Sequence, residues 1–313
     1  MKLRKIIKCP ICQNNNIKII APIKNHLKEI NKKFDLMKCQ NCLHRFISKF
    51  PSQDILNILY EKDSPLVFGG TDYELNQKKN FINYGFKDIL PQNDHWIFKH
   101  VNINKGRFFE VGPGLCRLYK TFLLKGWTCQ GLEPRSFVKL KGIKKNFNQI
   151  KNNNDIVSAF DVLEHVENPI QTLKNINKKM KKNGQIFLTF PHSESFKSRI
   201  LKEKWSMVAP LSHLHFFSKE STKIMLNKSG FDVVEIDDFS FVEIRRLIRN
   251  FFKLPFLFIK DIIRLKFKNV FARIIEFSLN LLDLINGDQL KVIGRKILYF
   301  RIKKTPKTLV IGV

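Results

Sequence analysis

The stretch that decides the fold is Arg107-Phe108-Phe109-Glu110-Val111-Gly112-Pro113-Gly114, an apolar run that ends in a glycine-containing turn. Residues 115–125 then follow a helical pattern, and residues 128–132 read as a second strand that ends at Glu133. Glycine lets the backbone come close to a ligand, and a carboxylate at the end of the second strand accepts hydrogen bonds from ribose hydroxyls. The unit therefore predicts an α/β fold that binds a nucleoside-containing ligand.

Two positions of this unit separate the candidate cofactors. A dinucleotide-binding turn needs a third glycine where this chain has Arg117. Glu110 lies two residues before Gly112, and its negative charge suits S-adenosylmethionine, which has no pyrophosphate and carries a positive sulfonium and an ammonium group. The turn therefore favours S-adenosylmethionine over a dinucleotide.

Further motifs follow this unit, and with them the chain resembles the class I S-adenosylmethionine-dependent methyltransferases of type 11 or 23. The matching stretches are 109–114 (Phe-Glu-Val-Gly-Pro-Gly), 131–134 (Gly-Leu-Glu-Pro), 161–166 (Asp-Val-Leu-Glu-His-Val), 181–188 (Lys-Lys-Asn-Gly-Gln-Ile-Phe-Leu) with Pro191-His192, and 213–218 (His-Leu-His-Phe-Phe-Ser). The resemblance covers residues 100–240. It implies a Rossmann-like, seven-stranded methyltransferase sheet in which strand seven is antiparallel.

The resemblance also implies roles for individual residues around the cofactor. Gly112 and Gly114 would contact its methionine and ribose portion, and Glu110 would orient its amino end. The remaining contacts would be Glu133 with the ribose diol, Pro134 with the adenine, Asp161 with the sulfonium end and His165 as part of the motif that shapes the pocket. Two departures from the family pattern are Cys116, which replaces a glycine and is expected in the first turn of a helix, and Lys182-Asn183-Gly184, which replaces a Pro-Gly-Gly turn.

Four cysteines form two Cys-x-x-Cys pairs near the N-terminus: Cys9 with Cys12, and Cys39 with Cys42. Each pair can present two thiolates to one ion, and four thiolates suit a tetrahedral, structural Zn²⁺ with no open position. A redox pair is the alternative, but it needs only one such motif. We therefore expect a zinc ribbon, which a bacterial subgroup of the family carries, and we expect the neighbouring His44 on the surface.

Histidines supply the candidate general bases. A base helps methyl transfer if the acceptor is a hydroxyl group, and the candidates are His192, His213 and His215. His192 follows the predicted strand five, at the edge of the sheet where ligands bind in such folds. His213 and His215 flank Leu214, so they point to one side if the segment is extended. A packing role is the alternative for each of them.

The C-terminal third carries a basic amphipathic pattern. Apolar residues recur at helical spacing from Ile244 to Phe252, arginines occupy the opposite face, and a more apolar helix is expected up to residue 285. Such an insertion can contact an anionic membrane through residues 244–285. It can equally pack as a lid over the substrate or as a homodimer interface.

Five segments follow from these patterns. We predict a zinc ribbon over 1–50, a helical connector over 51–100, the S-adenosylmethionine-binding core over 101–240, the helical insertion over 241–300 and the final strand over 301–313. In the last segment, residues 307–313 read as strand seven. The competing assignment for strand seven is residues 290–293, which lie in the preceding segment.

The net charge of +29 comes mainly from lysine, as expected for a protein encoded by an AT-rich genome. Because base recognition relies on arginine, this surplus of lysine weakens the case for nucleic acid as a partner. The N-terminus has no apolar stretch long enough for a signal peptide, so we expect a cytoplasmic protein, or one at the inner face of the membrane. The expected function is methyl transfer to a small molecule, a saccharide or a lipid-linked glycan intermediate. The alternatives are an RNA methyltransferase and a non-catalytic, membrane-associated module with a degenerate cofactor fold, for which Cys116 is the support.

Overall fold

The computed structural model describes residues 3–23, 33–61, 91–93, 95–134, 138, 140–239 and 287–297. Residues 241–286 of the insertion predicted over 241–300, and residues 62–90 of the connector predicted over 51–100, therefore lie outside the described residues. The strands are β1 (Leu3–Lys5), β2 (Ile17–Ile23), β3 (Phe34–Cys39), β4 (Arg45–Ile47), β5 (Lys49–Pro51), β6 (Arg107–Val111), β7 (Thr128–Leu132), β8 (Ile143–Lys144), β9 (Asn154–Phe160), β10 (Met180–Pro191), β11 (His215–Phe216), β12 (Phe231–Phe239) and β13 (Gln289–Lys296). The α-helices are α1 (Gln53–Glu61), α2 (Arg117–Leu124), α3 (Pro169–Lys179), α4 (Phe196–Leu201) and α5 (Lys219–Lys228), and short 3-10 helices cover Trp96–Lys99, Phe147–Gln149 and Lys202–Lys204.

The main sheet has seven strands in the order β12-β13-β10-β9-β6-β7-β8. Strands β10, β9, β6, β7 and β8 run parallel to one another, whereas β13 is antiparallel to both of its neighbours, β10 and β12. The inner strands β6 and β9 are buried along most of their length, because helices cover both faces of a parallel sheet. The predicted Rossmann-like sheet with an antiparallel strand seven is confirmed.

Strand seven of the described sheet is β13, and residues 301–313, which we predicted as the final strand of the core, lie outside the described residues. Residues 307–313, which lie outside the described part of the chain, have the more continuous run of β-branched side chains, but pairing decides the position. Phe187 on β10 pairs with Ile293, and Leu290, Val292 and Ile293 are all buried. The competing assignment, residues 290–293, is confirmed, so the segment predicted as an insertion over 241–300 already contains this strand.

Local sequence signals begin the helices next to the sheet. The Asn168 side chain accepts a hydrogen bond from the Gln171 amide, and Pro169 occupies the first turn of α3, where its missing N–H has no intrahelical partner to lose. Ser218 and Ser221 form a reciprocal capping box at the start of α5. These caps fix where α3 and α5 begin.

The cysteine-rich segment is joined to the methyltransferase-like part by a shared sheet. A four-stranded sheet has the order β11-β4-β3-β2, and β11 comes from the segment that follows β10. Ser218 Oγ donates a hydrogen bond to the Cys42 carbonyl at 2.6 Å, and Arg45 Nη1 donates to the Ser198 carbonyl at 3.0 Å. The two segments therefore pack as one body, although the cysteines and β11 are far apart in sequence.

No helix within the described residues is long and apolar enough to span a membrane.

Candidate active site and metal site

The glycine turn that follows β6 has an unusual backbone. Gly112 and Gly114 have φ values of +67° and +53°, a region that favours glycine. A Cβ atom on Gly112 would lie 2.7 Å from Val162 Cγ2. The Gly112 amide also donates to the Leu132 carbonyl at 2.9 Å, so the turn is fixed to the end of β7.

Cys116 lies just before α2, not in its first turn as the sequence predicted. It is the N-cap residue, it is buried, and its φ of +57° is left-handed. The position that the family pattern gives to glycine therefore keeps a glycine-like backbone in this chain. The substitution changes the side chain of the turn and leaves its backbone conformation in place.

Glu133 lies directly beneath this turn. Its side chain is buried, and Oε2 accepts a hydrogen bond from the Gly114 amide at 3.2 Å. The Glu133 amide donates to the Lys144 carbonyl, which holds the residue at the end of β7. The half-buried Pro134 follows immediately. The structure thus brings the second-strand acid and the glycine turn together, as the sequence predicted.

Glu110 is the most perturbed acid of the turn region. Burial raises its pKa to about 8, the Tyr119 amide lowers it through a hydrogen bond, and the charge of Glu133 raises it. Glu110 Oε2 is buried and has no hydrogen-bond partner among the described residues. Because an unpartnered buried carboxylate oxygen is costly, this position fits a positively charged group, as S-adenosylmethionine would supply.

We expect the affinity for S-adenosylmethionine to rise with pH up to about pH 8 and to level off above it. A cation stabilises the ionised Glu110, so below its pKa of about 8 binding must first remove a proton, which costs up to about tenfold in affinity per pH unit. Calorimetric titrations between pH 6 and pH 9 measure this slope. Glu110→Gln should flatten it, and an equal slope in the variant would assign the pH dependence to another group.

Asp161 lies where the chain leaves β9. Its φ is +53°, its amide donates to the Thr189 carbonyl, and Thr189 Oγ1 donates to Asp161 Oδ1 at 3.2 Å. Asp161 is exposed as a residue, yet the surrounding protein desolvates its carboxyl group. Desolvation raises the pKa of Asp161 to about 6; the hydrogen bond from Thr189 lowers this pKa, and the charge of Asp288 raises it. The residue lies at the carboxyl edge of the sheet, where ligands bind in such folds.

The three candidate bases lie in different surroundings. His192 is buried at the end of β10 and its pKa is lowered mainly by burial. His213 is half-buried, Nδ1 donates to the Met207 carbonyl at 2.6 Å, and burial lowers its pKa. Both rings are therefore neutral near pH 7 and can accept a proton.

His215 is not a candidate base, which corrects the prediction. It is fully buried in the shared sheet, where Nε2 donates to the Val166 carbonyl at 3.1 Å and Nδ1 accepts from His44 Nε2 at 3.1 Å. Burial lowers its pKa to about 3. His44, expected on the surface, is fully buried as well. The rings of His44 and His215 join the cysteine-rich segment to the core. His213 instead contacts the Met207 carbonyl, so the two histidines that flank Leu214 lie in different surroundings.

The structure brings Cys9, Cys12, Cys39 and Cys42 together. All four Sγ atoms lie within 4.8 Å of one another, and the Cys9–Cys42 and Cys12–Cys39 pairs are 3.6 and 3.5 Å apart. A tetrahedral ion with Zn–S bonds of about 2.3 Å needs separations of about 3.8 Å. A left-handed residue follows each pair, Gln13 after the first and Leu43 after the second. The cluster therefore fits one Zn²⁺.

Glu164 is a site residue that sequence reasoning missed. Its side chain is 1% exposed, and burial and the charge of Asp161 raise its pKa well above the usual range. It lies beside His165, whose Nδ1 donates to the Ser212 carbonyl at 2.7 Å. The available signal was its place between Asp161 and His165 after a strand, because carboxylates at such edges commonly face ligands.

The sheet order, the glycine turn and the acid beneath it define a class I methyltransferase fold. Residues 86–236 match the family model of a methyltransferase domain, and they belong to the class I S-adenosylmethionine-dependent methyltransferase family.

Comparisons with individual proteins give partial matches. The chain is 25% identical over 119 residues to a ubiquinone biosynthesis O-methyltransferase of Pseudomonas syringae pv. tomato, a match that covers 33% of this chain and 51% of that protein. It is 26% identical over 152 residues to an uncharacterised protein of Methanocaldococcus jannaschii, covering 47% of this chain and 74% of the relative. The structure of an S-adenosylmethionine-dependent methyltransferase from Archaeoglobus fulgidus aligns with a TM-score of 0.45 and 16% identity over 72% of this chain and 100% of the other. The chain thus spans about half the length of the first of these relatives.

Proposed function

We propose that the protein transfers the methyl group of S-adenosylmethionine to an oxygen atom of a small molecule, a saccharide or a lipid-linked glycan intermediate. The observation that carries the proposal is the pair of buried acids at the glycine turn, Glu110 with its unpartnered Oε2 and Glu133 against the Gly114 amide. An oxygen acceptor is supported by the resemblance to an O-methyltransferase.

The residues of the turn would hold the cofactor by complementary charge and close approach. Glu133 would accept hydrogen bonds from the ribose hydroxyls, and Glu110 would face the positive end of the molecule. Gly112 and Gly114 would let the backbone approach it. The cofactor supplies an activated methyl group on a sulfonium, so the main task of the protein is to align the acceptor with that methyl group.

Proton removal from the acceptor is the second task of the site. A hydroxyl group that becomes methylated loses its proton, and a neutral histidine within reach can take it. His192 and His213 are the candidates, since burial keeps both rings neutral near pH 7. Asp161, exposed at the same edge of the sheet, would lie near the sulfonium end.

We further propose that the cysteine cluster holds one structural Zn²⁺. Four thiolates fill the coordination of a tetrahedral ion and leave no position for a substrate. Cys9, Cys39 and Cys42 are fully buried, which supports a role in folding.

We also propose that residues 244–285 meet an anionic membrane surface, since their basic amphipathic pattern would suit a lipid-linked acceptor. The alternative roles for this segment are a lid over the substrate and a homodimer contact.

Methyl transfer from labelled S-adenosylmethionine to fractionated cell material tests the acceptor class. We expect label in the lipid or polysaccharide fraction, and loss of that label when Glu133→Ala replaces the wild type. Label confined to RNA would replace the small-molecule proposal with RNA methylation. Absence of label from every fraction, with cofactor binding intact, would favour a non-catalytic module.

A further inference from the structure

A cluster of three side chains joins the segment that follows β9 to the segment before β11. Glu164, His165 and His213 each offer one ligand atom, and these atoms all lie within 4.8 Å of one another. The Leu214 amide donates to the Glu164 carbonyl at 2.7 Å and the His215 amide donates to it at 3.2 Å. The backbone itself therefore brings the segment before β11 against the exit of β9.

Glu164 carries a carboxylate oxygen that the protein leaves unsatisfied. The side chain is 1% exposed, and Oε2 is buried with no hydrogen-bond partner among the described residues. Oε1 lies 3.9 Å from His165 Nε2, which is beyond hydrogen-bond distance. A buried carboxylate in this state calls for a positively charged partner.

Both histidines can present Nε2 to the cluster, because Nδ1 of each ring is held by a backbone carbonyl. His165 Nδ1 contacts the Ser212 carbonyl at 2.7 Å, and His213 Nδ1 contacts the Met207 carbonyl at 2.6 Å. A carbonyl oxygen can only accept, so each Nδ1 carries the proton and each Nε2 holds a lone pair. The ring centroids are 4.7 Å apart. Histidines that bind metals typically have this arrangement, in which a backbone carbonyl fixes the tautomer and orients the ring.

We propose that Glu164, His165 and His213 bind one divalent ion of the first transition series. Two imidazoles and one carboxylate suit Mn²⁺, Fe²⁺ or Zn²⁺, whereas Mg²⁺ and Ca²⁺ prefer oxygen ligands throughout. Three protein ligands leave coordination positions open. The exposed carboxylate of Asp161, whose charge acts on Glu164, adds to the negative potential that attracts a cation.

The open positions suggest what the ion would do. An acceptor hydroxyl bound to a divalent ion loses its proton more easily, and this role rests on the proposed methyl transfer. Ligation through Nε2 also removes His213 from the candidate bases and leaves His192. The ion site itself depends on the geometry of the cluster alone.

Titration of protein that carries one zinc per chain with Mn²⁺, followed by the electron paramagnetic resonance signal of free Mn²⁺, tests the site. Thiolate sites select Zn²⁺ over Mn²⁺, so Mn²⁺ reports the second cluster and leaves the cysteines occupied. We expect one Mn²⁺ per chain, and at least about tenfold weaker binding in Glu164→Gln and in His213→Gln. Glu164→Gln keeps the shape of the side chain, and circular dichroism checks that both variants fold.

His100→Gln is the matched control. His100 Nδ1 lies 3.9 Å from Glu235 Oε2, the same separation as in the His165–Glu164 pair, but no third ligand joins it in the described residues. Mn²⁺ binding should be unchanged in this variant. Lack of stoichiometric binding by the wild type, or unchanged binding in both cluster variants, would overturn the proposal. Mn²⁺ binding without methyl transfer would instead remove the proposed function and leave the site standing.

Discussion

Replacement of Gly112 by alanine is expected to weaken S-adenosylmethionine binding by on the order of 10²-fold. The residue has a φ of +67°, and the added Cβ would lie 2.7 Å from Cγ2 of Val162, whose β-branched side chain has few alternative rotamers. Left-handed backbone costs about 1–2 kcal/mol outside glycine, and overpacking costs about 1–3 kcal/mol. The turn relieves both by moving away from the conformation that admits the ligand, and each 1.4 kcal/mol, roughly, is a factor of ten in affinity.

Gly126→Ala separates this effect from general strain. Gly126 also has a positive φ, +79°, but the nearest atom to its Cβ would be Lys105 Cε at 3.2 Å, near the end of a flexible side chain. The control should lose stability and keep its affinity for S-adenosylmethionine within about twofold. Calorimetry on both variants measures the affinities, and equal binding by Gly112→Ala and the wild type would show that the turn does not contact the cofactor.

The centre of the fold could be predicted because its signals are local. Strands β6 and β9 are buried on both faces, so they read as short apolar runs that need no knowledge of their partners. The glycine turn follows β6 directly and the second acid ends β7. Since parallel strands end at the same edge of a sheet, their order alone places Glu133 beneath Gly114.

Strand β13 could not be predicted with the same success because its neighbours decide its position. Lys291, Arg295 and Lys296 make it less β-like than residues 307–313, and β-propensity depends strongly on context. In the fold it lies between β10 and β12 and bonds to both. The stabilisation of β13 therefore comes from pairing with strands whose residues are far away in sequence.

The predictions for His44 and His215 were wrong for the same reason, because contacts between residues far apart in sequence decide where these two side chains lie. His44 and His215 are 171 residues apart, yet their rings are in hydrogen-bond contact at 3.1 Å. The spacing of the cysteines predicts the local knuckles, but it does not predict that β11 extends the sheet of the cysteine-rich segment. An alternating His-Leu-His pattern indicates a shared direction only if both residues lie in one strand, and His213 lies before β11 begins.

Cys39→Ser is expected to lose one zinc per chain and to lower the melting temperature of the whole described core. Structural zinc contributes several kcal/mol to folding, and each kcal/mol shifts the midpoint by about 2–4 °C in a protein of this size. A fall on the order of 10 °C follows. Elemental analysis gives the zinc content, and calorimetry gives the midpoint.

Cys129→Ser is the matched control, because Cys129 is a half-buried thiol outside the cluster that donates to the Trp127 carbonyl. It should keep its zinc. A strong zinc chelator should lower the midpoint of the wild type and change Cys39→Ser no further. A zinc-free wild type with an unchanged midpoint would show that the four thiols pack without a metal.

The expected reach of this effect follows from how the cysteine-rich segment is attached. The Cys42 carbonyl accepts the hydrogen bond from Ser218 Oγ, and Ser218 also caps α5. His44, two residues after Cys42, contacts His215 in β11. Loss of a bound zinc would therefore loosen groups that begin α5 and hold the segment beside Glu164, so a zinc ion in the cysteine cluster would stabilise the edge of the sheet on which the proposed chemistry depends.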